Sequence, residues 1–264
     1  MDHHALVHGL VNEVRANTVA YLQVNQTRLI RCVSLIERFD AAYRAWSEQP
    51  TLNARQITET INELLIAKQF LQDEFCASVE YEPPLDGSEK SIDFLFHTTE
   101  GKRIFYDVKT IHPEDRDRWE RYQEATEEGR FTEGTQLILD KAWDGGVLAH
   151  HRFASRQKFL EHTLELEEKI RHVPNRQDGT YFRMVFCGDG FRWRLDQLED
   201  FADTYFRRGS SWDHFAKMQA HHLSTHGLTL ERTIESFCYF ERRYLLSELT
   251  KFVCDVRVPR LPRD

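Results

Sequence analysis

A chain of 264 residues with 41% hydrophobic and 12% aromatic side chains can bury a packed core, which excludes an intrinsically disordered protein. A net charge of −8 argues against a protein that coats nucleic acid regardless of sequence, although an acidic remainder can still surround a locally basic groove. No run approaches the roughly 18 apolar residues of a membrane span, and the Met-Asp-His-His start lacks a signal pattern, so a soluble, cytoplasmic protein with no membrane partner is expected.

Residues 5–46 carry a helical pattern, with Leu6, Leu10, Val14, Leu22, Leu29, Val33, Ile36, Phe39 and Tyr43 among its apolar positions. Asn17 and Asn25 interrupt it, so one long helix or two shorter ones are expected. Such a helix packs on its own domain or carries homodimer contacts, and packing within the chain is favoured. Glu48-Gln-Pro-Thr breaks the pattern, after which Asn53 can cap a new helix with Gln56 at the reciprocal position. This helix is expected to run to about Phe75. Ile57, Ile61, Leu64, Leu65, Lys68 and Leu71 make one stripe, and Ile66, Ala67 and Phe70 a second face. Glu63 projects into that second face, where a carboxylate is costly unless it is paired or bound to metal.

Ala77–Glu82 reads as a strand closed by Pro83-Pro84, neither of which can donate a ladder hydrogen bond, with Asp86-Gly87 as the turn. Two runs of period two follow. Ile92, Phe94 and Phe96 point one way, with Asp93 and Leu95 opposite; Ile104, Tyr106 and Val108 share a face, with Phe105, Asp107 and Lys109 opposite. The joining residues His97–Lys102 contain Gly101 and suit a hairpin loop. The register that keeps the apolar sets together pairs Ile92 with Val108, Phe94 with Tyr106 and Phe96 with Ile104. It also sets Asp93 across from Asp107, with Cβ atoms about 5 Å apart. Two carboxylates that close repel unless something positive lies between them. A divalent cation is the natural candidate, and oxygen-only ligands favour magnesium or manganese over zinc. The plain alternative is a hairpin that exposes Asp93, Asp107 and Lys109 to water.

Beyond Thr110 the chain is strongly charged. Pro113 to Glu128 holds seven acidic and three basic side chains and reads as a solvated helix or a mobile insertion. After a break at Asp144-Gly145-Gly146, Arg156 to Val173 is a helix with Phe159, Leu160, Thr163, Leu164, Leu166 and Ile170 on its buried side. Arg152, Arg156 and Lys158 near its start could meet phosphates. Tyr181–Cys187 is a strand; residues 196–208 and 229–250 look helical, and Phe252–Val258 looks like a closing strand. Arg192-Trp193-Arg194 could stack on bases and grip a backbone. His221, His222 and His226 lack the glutamate of an H-E-x-x-H zinc site. Cys32, Cys76, Cys187, Cys238 and Cys254 are odd in number and scattered, as reduced core thiols are. No nucleotide-binding or acyl-transfer motif is present in the sequence.

Asp93 followed by Asp107-Val108-Lys109 at a strand end resembles the signature of the PD-(D/E)xK nuclease superfamily. The tripeptide alone means little, since Glu100-Gly-Lys102 and Glu167-Glu-Lys169 match it too. Its context carries the resemblance: the preceding hairpin strand supplies an Asp, and a helix and a Tyr-Glu-Pro-Pro turn precede both. Ile92 departs from the proline of the family's name. The resemblance covers about Thr51 to Cys187. It implies an α/β fold with a restriction-endonuclease-like core (helix, three strands, helix, strand) around a mixed sheet. Residues 51–190 would form that core, residues 1–50 an N-terminal helical segment, and residues 191–264 a C-terminal helical extension with a closing strand.

The activity implied is Mg²⁺- or Mn²⁺-dependent hydrolysis of DNA phosphodiester bonds, in restriction or defence or in repair. Asp93, Asp107 and the Val108 carbonyl would hold the metal, Lys109 would orient a water or stabilise the transition state, and Glu63 would anchor a second metal or its water shell. Glu80 and Glu82 are substitutes for Glu63. A non-catalytic module that binds nucleic acid or protein on the same fold is the rival expectation.

Overall fold

The computed structural model describes residues 3–111, 147–174, 179–188, 195–207, 232–241 and 251–256. The N-terminal helical pattern is broken into pieces. Helix α1 (His3–Glu13) passes through a π-helical stretch at Val14–Val19 into α2 (Ala20–Val24). Asn25 ends α2, and its side-chain amide donates to the Tyr21 carbonyl at 2.9 Å. A two-residue strand that sequence periodicity did not show, β1 (Leu29–Ile30), comes next. Arg31, at φ 63°, then turns the chain into α3 (Cys32–Glu48). A single residue, Gln49, separates α3 from α4 (Pro50–Gln72), which starts with proline at its first helical position, where no backbone donor is needed. Asn53 is therefore not the cap. It lies inside the first turns, and its amide instead donates to the carbonyls of Ala45 (2.9 Å) and Gln49 (3.2 Å), which ties the two helices together.

Strands β2 (Cys76–Tyr81), β3 (Phe94–Thr98), β4 (Arg103–Thr110) and β5 (Thr180–Gly188) follow, with α5 (Val147–Ile170) between the last two. Helix α6 (Leu195–Phe206) precedes β6 (Ser236–Glu241) and β7 (Lys251–Val256). All seven strands form one mixed sheet in chain order, β1 to β7. The β1–β2, β4–β5 and β5–β6 pairs are parallel and the others antiparallel. The sheet thus takes strands from the N-terminal segment and from the region beyond residue 190 as well as from the centre. The helix expected over 229–250 is overturned where it is described. Ser-Phe-Cys-Tyr-Phe is buried on both faces of an inner strand, and such a short apolar run has no period that separates strand from helix.

The sheet divides two cores. Phe94, Phe96, Ile104, Tyr106 and Val108 pack with α3 and α4; Leu95, Phe105, Met184, Phe186 and Phe237 pack with α5 and α6. Phe70 of α4 anchors the first, with its ring 4.5 Å from Tyr106 and 5.7 Å from both Phe94 and Phe96. Truncating such a residue to alanine costs about 3–5 kcal/mol. Both faces read on α4 are buried except for the half-buried Leu65 and Lys68, because α3 covers the side turned from the sheet. The expected buried side of α5 (Phe159, Leu160, Thr163, Leu164, Leu166, Ile170) is buried throughout. Cys32, Cys76, Cys187 and Cys238 are buried. Among the described residues, no helix is long and apolar enough to cross a membrane.

Candidate functional site

The hairpin has the register its apolar faces demand: Phe94 opposite Tyr106, Leu95 opposite Phe105 and Phe96 opposite Ile104. Gly101, at φ 82°, makes the turn, a conformation that costs glycine little. The ladder stops one pair short of the two aspartates, because β3 begins at Phe94. Continued, it would give the Val108 N–H a carbonyl partner from Ile92. Instead the Asp93 carboxylate takes that role: Oδ2 accepts the Val108 N–H at 2.6 Å, while the Asp93 carbonyl accepts the Glu82 N–H at 2.8 Å. Ile92, released from the ladder, joins the α5 core rather than the face of Phe94. The expected pairings of Ile92 with Val108 and of Asp93 squarely with Asp107 are corrected accordingly. The Asp107 charge is still felt at Asp93.

Asp107 and Asp93 are 0% and 8% exposed, so the polar face of the hairpin is not a solvated one. Helix α5 covers it. From its last turn Lys169 reaches Asp107 Oδ1 at 2.7 Å, and Lys109 Nζ lies 3.2 Å from Oδ2. The Lys109 contact is an ion pair without hydrogen-bond geometry, so Oδ2 is a buried oxygen with no hydrogen-bond partner. Burial alone would raise the Asp107 pKa, but the two ammonium groups outweigh it and hold the carboxylate below its ordinary range. Asp93 goes the other way. Burial and then the Asp107 charge push it up, against Lys109, Lys169 and the Val108 N–H. Asp93 is thus the member of the pair that takes up a proton first. Burial disfavours the Lys109 charge, but Asp107 and Asp93 more than compensate and keep it protonated above the ordinary lysine range.

Glu63 is 5% exposed and lies on the α4 side of the sheet. Both of its oxygens are engaged: Tyr81 Oη donates to one at 3.0 Å, and the Arg38 guanidinium lies 3.4 Å from the other. Burial, reinforced by Asp93, pushes its pKa up to about 8 despite Arg38 and Tyr81. Glu63 is therefore in electrostatic reach of Asp93, while its carboxylate is turned to Tyr81 and Arg38. Of its two substitutes, Glu82 pairs with Arg38 at 3.0 Å and Glu80 lies 3.8 Å from Arg31. The structure joins Asp93, Asp107, Val108 and Lys109 into one group and attaches Glu63 through Asp93.

Sequence reasoning missed Lys169 and Arg38. Lys169 stands three residues after Leu166 and next to Ile170, so it borders the apolar stripe of α5, and a lysine there needs an anion across the packing. The same signal was available for Glu167, which lies fully on that stripe. It accepts from Tyr205 Oη (2.9 Å) and from the Arg232 N–H (2.6 Å), a link that ties α5 to α6 and to the segment before β6. Lys158, considered for phosphate contact, pairs with Glu161 at 2.8 Å. The side chains of Arg152, Arg156 and Cys254, the Arg192–Arg194 triplet, the three histidines, the 113–128 segment and the Asp144–Gly146 break lie outside the described residues.

A hard divalent cation takes oxygen donors, and the donors here are oxygens: Asp107 Oδ2, the Asp93 oxygen not used by Val108, and the Val108 carbonyl. That carbonyl projects to the same side of β4 as the N–H bonded to Asp93, as both groups of one strand residue do. Asp107 Oδ2, buried and without a hydrogen bond, fits such a group. Among the described residues, no three His, Cys, Asp or Glu side chains converge as a ligand set, so two carboxylates and a carbonyl are the set on offer. No protein-family model, curated protein or solved structure matches this chain.

Proposed function

We propose that this chain is a magnesium- or manganese-dependent nuclease of the PD-(D/E)xK kind, hydrolysing DNA phosphodiesters on a restriction-endonuclease-like core over residues 51–190. The observation that carries the reading is the buried end of β4. There Asp107 keeps one oxygen without a hydrogen bond, beside the carboxylate of Asp93 and the ammonium of Lys109. The order α4, β2, β3, β4, α5, β5 supports it as well.

In this reading Asp93, Asp107 and the Val108 carbonyl would hold the cation, which supplies a bound water of lowered pKa and offsets phosphate charge. Lys109, fixed by Asp107, stabilises the negative charge that develops on the phosphoryl oxygens as water adds and the leaving oxygen departs. Asp107 remains ionised throughout, because Lys109 and Lys169 hold it so. Glu63 lies on the far side of the sheet from Asp107, and the Asp93 charge helps to raise its pKa.

A second reading rests on the pairing of Asp107 itself. With Lys109 and Lys169 against its two oxygens, the carboxylate is already compensated, as suits a non-catalytic module that keeps the fold for binding. One assay separates the two. Supercoiled, linear, single-stranded and branched DNA, with RNA beside them, are incubated with Mg²⁺, Mn²⁺ or EDTA. Cleavage that needs the metal is the result expected of the nuclease; binding without cleavage in every metal supports the module.

A further inference from the structure

The geometry points to a site that takes one divalent cation and not two, with Lys169 fixed in the place of the second positive charge. The inference rests on the metal-dependent reading above and deepens it. Paired ions in phosphoryl-transfer sites stand about 3.5–4 Å apart and need carboxylate oxygens on both sides. Here the oxygens are already divided. Asp107 Oδ1 is held by Lys169 at 2.7 Å, and Asp93 Oδ2 by the Val108 N–H at 2.6 Å. Glu63, the remaining buried acid near the site, gives one oxygen to Tyr81 and the other to Arg38. What is left is Asp107 Oδ2, one Asp93 oxygen and the Val108 carbonyl, enough for one ion completed by water.

Lys169 is held where it is. It is 8% exposed, and Leu166 and Ile170 on either side of it are fully buried, so the end of α5 cannot carry the ammonium away without opening the second core. An ion that bridged Asp107 through Oδ1 would come against that ammonium, where like charges repel at short range in a poorly solvated place, whereas Lys109 stands farther from Oδ2, at 3.2 Å, on a more exposed side chain. Lys169 is thus a positioning residue: it leaves Asp107 a single oxygen without a hydrogen bond, Oδ2, which carries only the 3.2 Å ion pair with Lys109, and supplies, from the protein, charge that other sites draw from a second metal.

The test is manganese binding by the full chain, followed by titration calorimetry and by electron paramagnetic resonance, neither of which depends on turnover. One Mn²⁺ per chain, with the uncoupled spectrum of an isolated ion and lost in Asp107→Asn, is the expected result. Two ions per chain with an exchange-coupled spectrum would overturn the inference and leave the metal reading standing. No binding that depends on Asp107 would overturn both. In Lys169→Met, the removal of a neighbouring positive charge should tighten Mn²⁺ binding about tenfold or admit a second ion. Unchanged affinity together with unchanged stoichiometry would remove Lys169 from the account. Since the primary measurement uses the unaltered protein, a variant that fails to fold does not decide the matter.

Discussion

Two buried carboxylates, on opposite sides of one sheet, have been treated differently by their surroundings. Asp107, on the α5 side, has an ammonium group against each oxygen and stays ionised. Glu63, on the α4 side, has a phenol and a guanidinium that is partly open to water, and burial wins there, pushing its pKa up to about 8. Asp93 stands between them, raised by burial and by Asp107, and itself raises Glu63. Burial by itself therefore does not decide whether an acid is charged. The number and dryness of its cationic partners do.

The two sides of the sheet should differ most when their ion pairs are removed. Asp107→Asn takes from Lys109 and Lys169 the carboxylate that both of them pair with, and removing one side of a buried pair costs about 3–5 kcal/mol. Equilibrium unfolding in urea should show a loss of that size, larger than for any change at Glu63. A loss below about 1 kcal/mol would mean that the network contributes little.

A smaller, sharper contrast is the coupling within each cluster. A double-mutant cycle on Asp107→Asn and Lys169→Met should give an interaction of about 1–3 kcal/mol. The cycle on Glu63→Gln and Arg38→Met should stay below about 1 kcal/mol, because Arg38 is 40% exposed and its charge is screened. Equal couplings would erase the distinction between the two sides.

The two acids also give opposite pH slopes. Asp107 has a lowered folded pKa, so it stabilises the fold above the ordinary aspartate value of 3.8 and that stability is lost as pH falls through its depressed pKa. Glu63 has a raised one: its contribution is complete below the ordinary value of 4.5 and is lost as pH rises to about 8. Thermal melts should therefore show Glu63→Gln gaining on the wild type between those pH values and matching it at the acid end. A constant difference between the two proteins across that window would place the titration elsewhere. Least disruptive is Tyr81→Phe, which deletes one donor to Glu63 and should cost about 1 kcal/mol, read in the same melts.

How much of this could be read from residues alone follows the same division. The hairpin register was legible because a slip of one residue would have turned Phe94, Phe96, Ile104 and Tyr106 out of their core. The end of the hairpin was not, because nothing in the alternation shows that Asp93 leaves the ladder and uses its side chain to cap the Val108 N–H. Lys169 was passed over because Glu-Glu-Lys on a helix looks like a solvated face, and only packing against β4 gives the lysine its partner. The β6 strand failed for another reason. Its apolar run is buried on both sides, so it carries no period at all, and its neighbours β5 and β7 decide what it is.

In the proposed function the Asp107 side of the sheet carries out the chemistry and the Glu63 side supports it. That division is tested most directly by Mg²⁺-dependent cleavage of supercoiled DNA, measured for Lys109→Gln and Arg38→Gln after each is shown to be folded. Lys109→Gln should lose about 10²-fold or more, as for removal of a group that stabilises transition-state charge, and Arg38→Gln far less. Wild-type cleavage by Lys109→Gln, or an equal loss in both variants, would contradict it.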